Sequence, residues 1–113
     1  MNKSILLAIL LYAIGQTMVW VQSNGQFFWD FFKKNPLLIS FIGVPVSYVF
    51  IRATSMSYEG FGQLWPGRMI GFATGIIIFA ILSWSIMGES ISPKTAICLI
   101  LSAAIIYVQL FMK

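Results

Sequence analysis

The sequence predicts an all-α, polytopic membrane protein folded as a compact bundle of four transmembrane helices. Three observations predict it. First, four apolar stretches, residues 4–22, 36–53, 66–87 and 93–112, fill most of the chain. Crossing ~30 Å of hydrocarbon at ~1.5 Å of helical rise takes ~20 residues, so each stretch supplies about one pass. Second, hydrophobic residues make up 59% of the 113 residues and charged residues only 9%. A soluble domain carries roughly 25% charged residues, and here too little polar sequence remains to build a water-facing surface. Third, residues 76–82 are apolar without interruption. A barrel strand would alternate, so a transmembrane β-barrel is excluded. The links are too short to fold by themselves, which makes residues 1–113 a single transmembrane domain.

Each element has its own signal. The first span follows Met1-Asn2-Lys3 and continues through Trp20 with no convincing cleavage site, so it reads as a helix and not as a signal peptide. It fades at residues 22–25. The link 26–35 mixes Phe27, Phe28, Trp29, Phe31 and Phe32 with Asp30, Lys33 and Lys34. Aromatic rings and lysine stems both settle at the headgroup level, which places this link along a membrane surface. Asn35-Pro36 is expected to cap and start the second span, and Pro45 to kink it near residues 43–45. That span is expected to end near Arg52, with residues 54–63 crossing the surface. Trp65-Pro66-Gly67 opens the third span and Gly88 stops it. Ser92-Pro93 repeats the cap-plus-proline start for the fourth, and Lys113 anchors its end.

Composition also excludes chemistry. The net charge of +4 comes from seven Lys and Arg scattered at the span ends, with no basic run of the kind that binds nucleic acid. The single cysteine, Cys98, allows neither an intrachain disulfide nor a cysteine metal site, and there is no histidine. No metal site, no cofactor and no catalytic residues are expected, and the chain does not read as an enzyme. The lipid bilayer is the expected partner, and the expected location is multi-pass in a bacterial inner or plasma membrane. Lys3, Arg52, Arg68 and Lys113 fall on one side, against Lys33, Lys34 and Lys94 on the other. So small a difference orients the protein weakly. It leaves open a single orientation or insertion both ways, with pairing as an antiparallel dimer.

Candidate functional residues stand out by helical spacing. Ala8, Tyr12, Gln16 and Trp20 recur every four residues and share a face. A glutamine inside a membrane needs a hydrogen-bond partner, so this face should look inward. It is either a cavity wall or a helix–helix seam. Gly67, Gly71 and Gly75 make a small-residue stripe that lets a neighbouring helix approach closely. Thr95, Cys98, Ser102 and Gln109 form a second small-and-polar stripe, with Ser102 in a helix contact, within the chain or across a dimer. Arg68, near Trp65, has two readings. It reaches headgroup phosphates together with Arg52, or it binds an anion at a cavity mouth with Arg52 or Trp65.

Together these residues resemble the small multidrug resistance family and its short relatives in the drug/metabolite transporter superfamily. The resemblance rests on Ala13-Ile14-Gly15-Gln16-Thr17 in the first span, on Trp65 with the glycines after it, and on residues 82–92, where an apolar helix ends at Gly88-Glu89. It implies a homodimer, antiparallel in the family, with a central cavity and alternating access. Those exporters carry a membrane-embedded glutamate two to three residues before the first-span glycine. Here Tyr12 stands there, and no Asp or Glu lies within any predicted span. A phenol exchanges protons poorly at neutral pH, so proton-coupled export of cations is not implied. The expectation is a small transporter or flippase acting on a neutral or anionic small molecule or lipid-linked substrate, lined by Tyr12, Gln16, Trp20, Trp65 and Arg68. The alternative from another class is a non-transporting accessory or assembly subunit of a larger membrane complex.

Overall fold

The structure is a computed structural model that describes residues 3–112. Lys113, expected to anchor the last span, lies outside them. The fold is all-helical, with no strand among the described residues. Four stretches are long and apolar enough to cross a membrane: Lys3–Phe27, Pro36–Phe61, Trp65–Ser85 and Pro93–Phe111.

Helix α1, Lys3–Asn24, contains no proline and buries Ala8, Tyr12, Gly15 and Trp20. Its end is closed by Asn24, whose side-chain nitrogen donates to the Trp20 carbonyl at 3.1 Å. A 3₁₀ turn over Gly25–Phe27 leads to the short helix α2, Asp30–Lys34. The expected Asn35 cap of the second span does not form. Asn35 instead donates from Nδ2 to the Phe31 carbonyl at 2.9 Å, satisfying the end of the preceding turn.

The second span is two helices, α3 over Pro36–Ser40 and α4 over Gly43–Phe61. The interruption at Phe41 and Ile42 has a covalent cause. Pro45 has no N–H to offer the Phe41 carbonyl. The Val44 N–H takes that carbonyl at 3.1 Å, and Phe41 and Ile42 make the same tight three-residue bonds back to Leu38 and Ile39. The break therefore falls just ahead of the proline, as a tightened turn.

The end of this span corrects the sequence reading most. Helix α4 does not stop near Arg52 but runs on to Phe61, through the stretch expected to cross the surface. It closes at Gly62, whose φ of 74° is the left-handed value favoured by glycine and whose N–H donates to the Tyr58 carbonyl at 2.8 Å. Thr54 and Ser57 look like surface residues in the sequence, yet Thr54 borders an open cavity between the helices and Ser57 is buried.

Helix α5, Trp65–Ser85, begins with Pro66 in its first turn and is followed by Gly88 at φ 73°. Helix α6, Pro93–Phe111, starts as expected, with the Ser92 hydroxyl accepting the Thr95 N–H at 3.3 Å.

Helices α1 and α4 run antiparallel along their length. Gly60 lies against Ile5 at one end and Gly15 against Phe50 midway. Near the other end Gln22 Nε2 donates to the Ile39 carbonyl at 3.3 Å. Helix α5 packs against α1, and α6 rests chiefly on α5. The molecule is accordingly a slab of 47 × 35 × 18 Å with α6 at one edge, flatter than the compact bundle expected.

Candidate functional site

A cavity of about 770 Å³ follows helix α5 from Leu64 and Arg68 at one end to Trp84 and Glu89 at the other. Helix α1 contributes Tyr12 and Gln16 to its wall, α4 contributes Phe50 and Thr54, and α6 contributes Thr95 and Cys98. Its surface is mostly apolar, with a few polar groups, the usual composition of a site for a small organic ligand.

The glycines of α5 set the shape of the wall. A Cβ at Gly71 would stand 3.1 Å from the Tyr12 ring, and one at Gly75 would stand 2.8 Å from the Gln16 carboxamide carbon. At Gly67 it would collide with the Ser57 side chain. All three glycines therefore serve close helix approach, as their spacing predicts. Ser102 is buried and its hydroxyl donates to the Cys98 carbonyl at 2.9 Å within α6.

Because α1 comes so near, Gln16 can donate from Nε2 to the Gly71 carbonyl at 3.2 Å. That bond satisfies one donor of the amide and fixes its plane. The oxygen Oε1 has no protein donor among the described residues and remains an acceptor for a ligand. One turn away, the Tyr12 and Thr54 hydroxyls lie 3.4 Å apart. Ser57 Oγ is buried behind them with no partner among the described residues. The site thus offers an amide acceptor and two hydroxyls beside a run of aromatic and aliphatic side chains. Arg68 stands at one end and Glu89 at the other.

Of the five residues expected to line a site, the structure brings together Tyr12, Gln16 and Arg68. Trp20 and Trp65 stand outside. Trp20 is only 2% exposed and donates from Nε1 to Ser83 Oγ at 3.1 Å, so its indole pins α1 to α5. Trp65, the first residue of α5, is 69% exposed and does not line the cavity. Arg52 does not join Arg68, because it lies on the face of α4 opposite Phe50 and Thr54. The sequence reading missed Phe50, Thr54 and Glu89. The four-residue spacing of Phe50 and Thr54 was visible, but only a helix continuing past Arg52 puts them on one face.

No family model, curated protein or solved structure matches this chain.

Proposed function

We propose that the chain is a small membrane transporter or flippase of the drug/metabolite type. It inserts as a multi-pass protein and works as a homodimer by alternating access on a neutral or anionic small molecule or lipid-linked substrate. The observation that carries this reading is the cavity along α5, which extends from Arg68 to Glu89, nearly a full span, with Gln16 and Tyr12 between. Four helices of spanning length support placing that cavity inside a bilayer. Aromatic side chains hold the apolar part of the ligand, Gln16 Oε1 and the hydroxyls take its hydrogen bonds, and Arg68 pairs with an anionic group. The glycine face of α5 is the surface on which α1 slides as access changes.

The test is flux into proteoliposomes from a panel of amphipathic dyes, one anionic, one neutral and one cationic. Saturable, protein-dependent flux of the anionic or neutral dye is expected. Gln16→Leu should reduce both, and Arg68→Gln the anion alone. Flux no greater than in empty liposomes for all three classes would reject transport. It would leave the second reading, an accessory subunit of a larger membrane complex, which is favoured by the almost uncovered helix α6, where Ser102 is the one buried residue.

A further inference from the structure

Outside the main cavity, the link between the first two spans folds into a second pocket of about 300 Å³, lined by Gln26, Phe27, Phe28, Trp29, Asp30 and Lys33. Its aromatic wall is braced by packing. Phe28 meets Trp29 edge-on with ring centroids 4.5 Å apart, and it also stacks on Trp20 of α1 at 6.0 Å. Trp29 in turn lies against Phe32 at 5.0 Å. Gly25 allows this, since a Cβ there would fall 2.7 Å from the Phe32 ring and 3.2 Å from Trp29.

Two opposite charges share the pocket. Asp30 and Lys33 are three residues apart in α2, so their side chains leave the same face. No salt bridge joins them among the described residues, and each is free to meet a ligand. A carboxylate beside aromatic faces is the arrangement that holds an organic ammonium ion, and a lysine one helical turn away suits a phosphate.

The geometry points to this pocket as a binding site for a zwitterionic phospholipid headgroup, its ammonium against Asp30 and the rings and its phosphate against Lys33. The assignment to a lipid rests on the proposed membrane insertion, because the pocket sits between the end of one spanning stretch at Phe27 and the start of the next at Pro36, the depth at which headgroups lie. A generic aromatic anchor would have no use for a carboxylate, which repels anionic headgroups.

The experiment is native mass spectrometry of the full chain released from nanodiscs holding equal mole fractions of phosphatidylethanolamine and phosphatidylglycerol. Retention of phosphatidylethanolamine over phosphatidylglycerol by about threefold or more is expected for one ammonium contact at an exposed site. Asp30→Asn should bring the two lipids to parity, and Lys33→Gln should lower retention of both. Both residues are exposed, so the fold should survive either change. Phe27→Leu, at another exposed position, should also reduce the preference. Equal retention by wild type and Asp30→Asn would overturn the assignment and leave only an aromatic anchor. Displacement of the lipid preference by free glycerophosphoethanolamine without membranes would overturn the lipid source in favour of a soluble ligand. Release of the protein from vesicles by alkaline carbonate would instead overturn the membrane reading itself, and the headgroup assignment with it.

Discussion

Gln16 hangs from the Gly71 carbonyl by its amide nitrogen, and Gly75 leaves the space that its amide plane fills. Gly75→Ala would put a methyl 2.8 Å from the carboxamide carbon, so either the amide swings away or the helices part. The amide is the free end of a flexible side chain beside a cavity and can swing aside, at the cost of its bond to the Gly71 carbonyl, about 1 kcal/mol. The expected outcome is a lower melting temperature in detergent together with reduced ligand flux. Gln16→Leu removes the acceptor and the bond to the Gly71 carbonyl together, so it should lower flux and also cost about 1 kcal/mol in thermal unfolding. Trp20 carries only the second of these effects. Trp20→Phe loses the 3.1 Å bond to Ser83 and should cost about 1 kcal/mol in thermal unfolding. It should leave flux intact, since the indole does not reach the cavity. In the sequence Trp20 and Gln16 look alike, two large residues on one stripe. Both bond to α5, and only the position of α5 shows that Gln16 also lines the cavity while Trp20 does not.

At the scale of the element, the length of α4 changes the meaning of Arg52. With the helix ending at Phe61, Arg52 is no longer terminal and lies roughly 14 Å before that end at ~1.5 Å per residue. Its side chain is exposed, on the face turned away from α1 and the cavity. In a membrane, an arginine far from both surfaces costs ~2.5–3.5 kcal/mol on insertion scales. Arg52→Leu should therefore raise insertion of the α4 segment in a translocon glycosylation assay by about that free energy. Unchanged insertion would mean that the guanidinium already reaches the interface in the wild type. In the sequence the span looks finished here because a charge and four polar side chains follow within eight residues. The burial of Ser57 and the place of Thr54 on the cavity wall explain part of that polarity, since one of those side chains is enclosed and another borders the cavity. Proline positions, in contrast, read correctly. Pro36, Pro66 and Pro93 all sit in first turns, where their missing N–H costs nothing.

For the whole molecule, moving Arg52 into the body of α4 alters the charge balance. Lys3, Arg68 and Lys113 then remain near one set of span ends, against Lys33, Lys34 and Lys94 near the other. Equal numbers give the positive-inside rule nothing to act on. Two lysines added to residues 26–35 should shift the population sharply to one orientation. The measurement is labelling of a cysteine placed at Lys113, in a Cys98→Ala background, from each side of an intact membrane. Wild type labelled from both sides and the lysine variant from one would support dual insertion. Identical one-sided labelling of both would count against an antiparallel dimer. The flat shape bears on the same question, because α6 rests chiefly on α5 and leaves Ile97, Ile100, Leu101 and Tyr107 exposed. Lipid or a second chain must cover such a face inside a bilayer.

The sequence by itself determined the helical class, the number of spanning stretches, most of their starts and the close approach along Gly67, Gly71 and Gly75. These follow from local causes: apolar length, proline chemistry and the missing Cβ of glycine. The tertiary structure decided which polar residues share a space. Tyr12 and Gln16 from α1, Thr54 from α4 and Arg68 from α5 meet because antiparallel packing of α1 on α4 and the glycine face of α5 bring three helices to one cavity. It also decided that Trp20 and Trp65 stay out of that cavity. Spacing along one helix fixes only a direction around its axis, and what a side chain meets in that direction depends on where the neighbouring helices lie.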